Sequence, residues 1–287
     1  MDISSLRVRA GAKVRLAEYS TTPPESAVDK SDAKDLLAQG VERLADMQAK
    51  LHAQNTYALL IILQGIDASG KDGTIKHVMS GVNPAGCQVK SFKVPSEEEL
   101  DHDYLWRYVR GLPERGNIGI FNRSHYEEVL VVRVHPELLA RQRIPGKQRE
   151  KFWLDRFEEI NHFERYLENN GTEVLKFFLH ISKDEQKARF MERLESPDKN
   201  WKFSESDVRE RAFWDKYTEA FEDMLSHTST QCAPWYVIPA DKKWYSRLAV
   251  ANIIVEKLDS LNLAFPTLGK KEMEALERAK TLLKDEN

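Results

Sequence analysis

The chain has 287 residues, 41% hydrophobic and 31% charged, with a formal net charge of −3. That length suits one large α/β domain, alone or with appendages, and suffices to bury a sizeable core. The charge balance excludes a surface dominated by nucleic-acid phosphate contacts, which needs a basic excess; DNA and RNA are not expected as partners, and any polyanion must bind at a local patch.

Residues 1–30 carry Arg7, Arg9, Lys13 and Arg15 without an apolar stretch, so no secretory signal is expected, and Thr21–Ser26 reads as an extended arm. From Ser31 to about Gln54, Leu36, Leu37, Val41, Leu44, Met47 and Leu51 recur at helical spacing. This predicts an amphipathic helix with Ser31 or Asp32 as N-cap. Ala58–Leu63 is a continuous apolar run, as in a parallel strand covered on both faces. With Tyr57 included it is still too short to span a bilayer, so a cytoplasmic protein without a membrane partner is expected.

Further strand candidates are Cys87–Val94, which alternates and is weaker, then Ile118–Phe121, Val174–Leu179 and Trp235–Ile238. Helices fall between them. Thr74–Ser80 is one; Ser96 with Glu99, and Ser182 with Glu185, open others as capping boxes. An amphipathic stretch from Lys147 to Asn170 stops at Gly171, and Lys270–Asn287 is a charged helix placed on the surface or against a partner subunit. Strands alternating with helices predict an α/β fold with a parallel sheet flanked by helices. Cys87 and Cys232 form no CxxC pair and read as buried reduced thiols.

The first strand candidate runs into "GIDASGKDG", Gly65 to Gly73, which fits the phosphate-binding pattern G-x-x-x-x-G-K. The pattern then wants Ser or Thr, and Asp72 stands there instead; Asp67 adds a second carboxylate inside the loop. Glycines let backbone N–H groups converge on phosphate, and the following helix N-terminus adds a positive dipole end. Gly65, Ala68, Ser69, Gly70, Lys71, Asp72 and Gly73 are therefore the phosphate-binding candidates, with Lys71 reaching the transferred group. Two polyphosphates meeting head-on need metal between them. Asp67 is read as a metal ligand or as the group orienting the attacking phosphate, and Asp72 as metal support or helix cap.

After the third strand candidate come Asn122, Arg123, Glu127, Glu128 and Arg133, at the strand end where a ligand crevice opens. A third cluster holds Arg189 and Arg193, four apart on one helix face, which could close over phosphates as a lid. Acidic residues there equal the basic ones, so only placement supports it. Trp201, Phe203 and Trp214 read as core or lid-hinge packing. Asp101, His102 and Asp103 lack metal-ligand spacing.

Four segments, "LLIILQGIDASGKDGTIKHV", "GNIGIFNRSHYEEVLVVRV", "PDKNWKFSESDVRERAFWDKY" and "APWYVIPADKKWY", resemble the polyphosphate kinase 2 family in series, from about Thr56 to Leu261. The Asn-Arg-Ser-His-Tyr-Glu form of the second resembles the class III branch. The resemblance implies a thymidylate kinase-like P-loop kinase fold and Mg²⁺-dependent phosphoryl transfer between inorganic polyphosphate and AMP, ADP and ATP. It also implies a homodimer or homotetramer. By the same likeness Asp67 and Glu128 are metal ligands, and Asn122, Arg123 and Glu127 bind nucleotide. Lys71, Arg123, Arg133 and Arg189 would act on the transferred charge, Arg193 on phosphate, and Lys76, Lys90 and Lys93 would line a polyphosphate channel. Glu128 departs from the Asp of related sequences, which leaves metal position and AMP-versus-ADP preference open. An ATP-dependent nucleoside monophosphate kinase and a non-catalytic nucleotide-binding module are the competing readings. The expected organisation is an arm and helix over 1–55, a kinase domain over 56–265 with a lid at about 183–215, and a terminal helix over 266–287.

Overall fold

The five strand candidates form one parallel sheet: β1 (Ala58–Gln64), β2 (Cys87–Ser91), β3 (Ile118–Asn122), β4 (Thr172–His180) and β5 (Trp235–Pro239), in the order β2-β3-β1-β4-β5. This computed structural model describes residues 3–145, 151–202 and 204–286. β1 lies between β3 and β4 and is buried at every position, which is why its sequence is apolar without alternation. On one face Leu59, Ile61 and Leu63 pack among Leu44 and Leu51 of the helix Lys30–Gln54 and Ala249 and Ile253 of the helix Lys243–Ser260. On the other, Leu60 and Ile62 meet Phe157 and Ile160 of the helix Phe152–Asn169 and Phe221 and Met224 of the helix Trp214–Thr228. Each such side chain contributes about 1.5–3 kcal/mol on burial. β2 is the exposed edge strand and ends at Ser91, short of the expected Val94.

Helix ends differ from the sequence reading in instructive ways. The first long helix begins at Lys30 with Asp29 at its cap, because the Ser31 hydroxyl turns to Asp32. Ser96 and Glu99 complete their capping box. Ser182 does accept from Glu185 N, but its own N–H goes to Asp241, so the box is half-made. The P-loop helix starts at Lys71, three residues before the expected Thr74. Gly171, at φ +82°, follows the helix that ends at Asn169; its expected start at Lys147 lies outside the described residues. The helix Lys270–Asp285 is exposed along its length.

Under β3 sits a buried polar knot. Lys176 of β4 donates to Glu164 at 2.6 Å, to the Tyr126 hydroxyl at 2.8 Å and to the Thr228 carbonyl at 2.7 Å. Tyr126 in turn donates to Glu164 at 2.7 Å. Every hydrogen of the ammonium is thereby used, as a fully buried cation requires.

The strand order changes direction at β1, whose neighbours β3 and β4 come from opposite sides of the chain's path. That switch point opens a crevice at the carboxyl ends of the strands. Leu63 pairs in register with Asn122, so the loop after β1 and the turn after β3 begin side by side.

Candidate active site

Gly65–Gly70 forms a wrapped loop between β1 and the P-loop helix Lys71–Val78. At Gly65, φ is +151°, and an added Cβ would meet Ser69 Oγ at 2.7 Å and the Leu179 carbonyl at 2.9 Å. Ala68 holds φ +65° without being glycine, a conformation that persists only when neighbours enforce it. The helix Lys183–Glu195 does so. Gln186 donates to the Asp67 carbonyl, and Arg189 Nη1 to the carbonyls of Ala68 and Ser69, each at 2.9 Å. Lys71 folds back to donate to Gly65 O at 2.6 Å and Ile66 O at 3.3 Å. Burial lowers its pKa to about 8, assisted by the Arg123 charge and opposed by Asp67, Glu127 and Asp72.

The turn after β3 supplies the facing wall. Arg123, also left-handed at φ +65°, donates to Asp67 at 2.5 Å and to Glu127 at 3.3 Å. Asn122 donates to Asp72 at 2.6 Å, so two bridges tie the turn to the loop. From beneath, Gln64 donates to Ser124, and the knot around Lys176 grips Tyr126. These are positions the sequence reading left without a role.

Three expected site residues meet partners the sequence did not announce. Glu128 does not join Asp67: it is buried, with Arg156 on one oxygen at 3.1 Å and Gln142 on the other at 2.5 Å. The turn at His125–Glu128 sends consecutive side chains to different sides, so only Glu127 faces Arg123. Arg133 pairs with Asp223 of the helix Trp214–Thr228 at 2.5 Å and lines neither cavity of the crevice, although Val131 of the same short helix lines the second. Arg189 is not an open-lid arginine. It borders the first cavity but is only 5% exposed, and its Nε–H and both Nη groups are committed to Glu185, Ala68, Ser69, Ala240 and Asp241.

Two adjoining cavities share Phe92, Lys93 and Arg123. The first, about 610 Å³, is lined by the loop from Asp67 to Thr74 and by Arg193, Lys199, Lys243 and Arg247. The last three were missed; the rule that placed the loop after β1 at the crevice applies equally after β5 and would have found Lys243 and Arg247. Arg193 lies 3.9 Å from Asp207 across this cavity. Trp201, expected to pack, is 77% exposed on its rim; Phe203 lies outside the described residues. Of the expected channel lysines Lys93 lines the cavity, whereas Lys76 and Lys90 do not. The second cavity, about 480 Å³, is walled by Phe92, Tyr104, Tyr108, Val131 and Leu138, with Glu127 at its polar end. Phe92 and Tyr108 pack ring to ring at 4.5 Å.

Among the described residues no three His, Cys, Asp or Glu side chains gather to cage a metal. A hard cation shared with phosphates needs only one or two carboxylates, and Asp67 and Asp72, both facing the first cavity, fit that need. Among the same residues no helix is long and apolar enough to cross a membrane.

The family model for Polyphosphate kinase 2 (PPK2) matches residues 27–266. An ADP-polyphosphate phosphotransferase of Rhodopseudomonas palustris is 49% identical over 281 residues, 97% of each chain. An AMP/ADP-polyphosphate phosphotransferase of Meiothermus ruber is 48% identical over 237 residues, 83% of this chain and 85% of its own. The crystal structure of Polyphosphate Kinase 2 from Arthrobacter aurescens TC1 superposes with a TM-score of 0.88 at 40% identity, over 97% of this chain and 95% of that one. With a parallel sheet, a phosphate loop at its switch point and this extent of likeness, the chain belongs to the polyphosphate kinase 2 family.

Proposed function

We propose that this protein transfers phosphoryl groups between inorganic polyphosphate and adenine nucleotides, making ATP from ADP and ADP from AMP, with Mg²⁺. The observation that carries this reading is the pair of cavities meeting at Arg123: one basic and floored by the phosphate loop, the other apolar and sized for a nucleoside. The curated relatives named above support it, both being polyphosphate phosphotransferases.

Polyphosphate lies along Lys199, Lys243 and Arg247, with its reacting phosphate against the loop N–H groups and Lys71. The nucleotide base enters among Phe92, Tyr104 and Tyr108, and its terminal phosphate meets Arg123. Phosphoryl transfer asks the protein for alignment and for charge stabilisation. Lys71 leaves Gly65 O and follows the migrating phosphoryl group; Arg123 holds Asp67 and Glu127 in place on the acceptor side. When bound, Mg²⁺ neutralises phosphate charge, and Asp67 and Asp72 are the residues that would hold it.

The test is product analysis with purified protein. ADP plus polyphosphate should yield ATP, AMP plus polyphosphate should yield ADP and then ATP, and chelating the metal should stop both. Conversion of AMP and ATP to two ADP, with polyphosphate inert, would establish the ATP-dependent alternative instead.

A further inference from the structure

The phosphate loop is held by a chain of hydrogen bonds that begins far upstream of it in sequence, at Thr21 of the N-terminal arm. Asp241 sits just past β5 and joins three elements. Its Oδ2 accepts from the Thr21 hydroxyl at 2.8 Å, and its N–H donates to the Thr21 carbonyl at 3.0 Å. Its Oδ1 accepts from Ser182 N at 2.8 Å, at the start of the helix Lys183–Glu195. Its carbonyl accepts from Arg189 Nη2 at 3.3 Å, beside the Ala240 carbonyl at 2.5 Å. Arg189 then spends its other Nη group on Ala68 O and Ser69 O.

The arm itself is stitched down before it reaches Thr21. Val8 N donates to Trp235 O at 2.9 Å, Val14 N to Ser226 Oγ at 2.8 Å and Leu16 N to Glu222 at 2.7 Å. Val8, Val14 and Leu16 are buried. The segment is thus part of the body, although it precedes residue 27, where the family match begins.

A peptide carbonyl pinned to one side turns the N–H of the same peptide to the other. With Asp67 O and Ser69 O drawn toward the side chains of Gln186 and Arg189, the N–H groups of Ala68 and Gly70 turn away from those side chains, within the stretch from Asp67 to Thr74 that lines the first cavity. Ala68 meanwhile holds a left-handed conformation that persists only where its surroundings impose it. The donors that impose it are side chains: Gln186, itself held by Arg211, and Arg189, which is anchored on Ala240 and Asp241.

We propose that Thr21, Asp241 and Arg189 form a positioning strap, which sets the phosphate loop's N–H groups for transfer without touching the phosphate. This rests on the reading of Gly65–Gly73 as the phosphate site. It replaces direct charge neutralisation by Arg189 with control of loop geometry, and it gives the arm a catalytic consequence.

The experiment compares full-length Thr21→Val, Asp241→Asn, Arg189→Lys and the Thr21→Val/Arg189→Lys double variant, with Lys71→Ala as reference. The readouts are kcat, the KM values for polyphosphate and ADP, and Tm. Misplacing catalytic groups by an ångström costs up to ~10²-fold, so Arg189→Lys should lose about that in kcat and Thr21→Val about fivefold. KM for ADP should stay within about twofold, because the nucleotide cavity is untouched. The double variant should be no slower than Arg189→Lys alone, since both changes act through the same loop.

Wild-type kcat in both Thr21→Val and Asp241→Asn, whatever their Tm, would overturn the strap, as would multiplicative losses in the double variant. Should Arg189→Lys not fold, Thr21→Val/Asp241→Asn takes the place of the double variant with the same criterion. If Lys71→Ala is inactive while the strap variants turn over normally, the strap alone fails. If Lys71→Ala turns over normally, the phosphate-site reading fails and takes the strap with it.

Discussion

Arg123 Nη2 stands 2.5 Å from Asp67 Oδ1, and the same guanidinium reaches Glu127 at 3.3 Å. One cation therefore holds a carboxylate from each wall of the crevice, and the loop after β1 is braced by the turn after β3 before any substrate arrives. The two anions, Glu127 foremost, hold the Arg123 pKa above its ordinary value, so its charge is permanent.

Asp67→Asn should keep the fold but release this brace. We expect kcat to fall by at least ~10²-fold, as for loss of a preorganised electrostatic contact. The Mg²⁺ concentration for half-maximal rate should rise as well. Initial rates over a Mg²⁺ titration check both; an unchanged metal response would restrict Asp67 to orientation.

Lys71 gives a pH signature. In the free protein its pKa is lowered from 10.5 to about 8. Polyphosphate favours the charged amine, so between these two values binding takes up a proton and affinity falls as pH rises. The ratio kcat/KM for polyphosphate reports the free enzyme, and it should drop above about pH 8. Lys71→Arg, whatever its rate, should lack that descending limb. Proton uptake by calorimetry in two buffers checks the same linkage.

Gly65→Ala should fail on geometry alone. The new methyl would sit 2.7 Å from Ser69 Oγ and 2.9 Å from a backbone carbonyl that cannot move aside. Added to the φ of +151°, this should cost about 2–3 kcal/mol of stability and most of the activity. Thermal unfolding and kcat of the same preparation measure the two.

Glu128→Gln separates metal ligation from structure. The buried carboxylate holds Arg156 and accepts from Gln142. Its pKa is raised chiefly by burial, and Arg156 opposes that rise. The variant should lose about 1–3 kcal/mol, from leaving a buried charged partner less well satisfied. Its Mg²⁺ dependence should match wild type. A shifted metal requirement at unchanged Tm would return Glu128 to the metal.

What the sequence carried and what it withheld follow a physical line. β1, β3, β4 and β5 were legible because a strand buried on both faces is apolar at nearly every inner position, with Lys176 of β4 the exception. β2 was faint because it is an edge, exposed along most of its length. The loop at Gly65–Gly73 was legible because only certain residues can wrap phosphate. The contacts of Arg189, Arg133 and Glu128 were not legible for a shared reason: spacing places a residue on an element but does not say which neighbour its side chain finds. For Arg189 those neighbours are Ala68 and Ala240, separated from it by 121 and 51 residues, and they are backbone carbonyls that leave no trace in a residue's identity. Asp241 stayed silent likewise, since two of its four hydrogen bonds run to main-chain atoms, of Thr21 and Ser182.

The Glu164–Lys176 pair bears on how this sequence can drift. Replacing either partner alone strands a full charge in the core, at about 3–5 kcal/mol. A domain holds only about 5–15 kcal/mol in reserve. Replacing both by apolar residues of like volume is often neutral or better. The two solutions are therefore separated by single-step intermediates that barely fold. Lys176 and Glu164, on different elements, are bound to be inherited together, and Tyr126, which bonds to both, is drawn into the same inheritance.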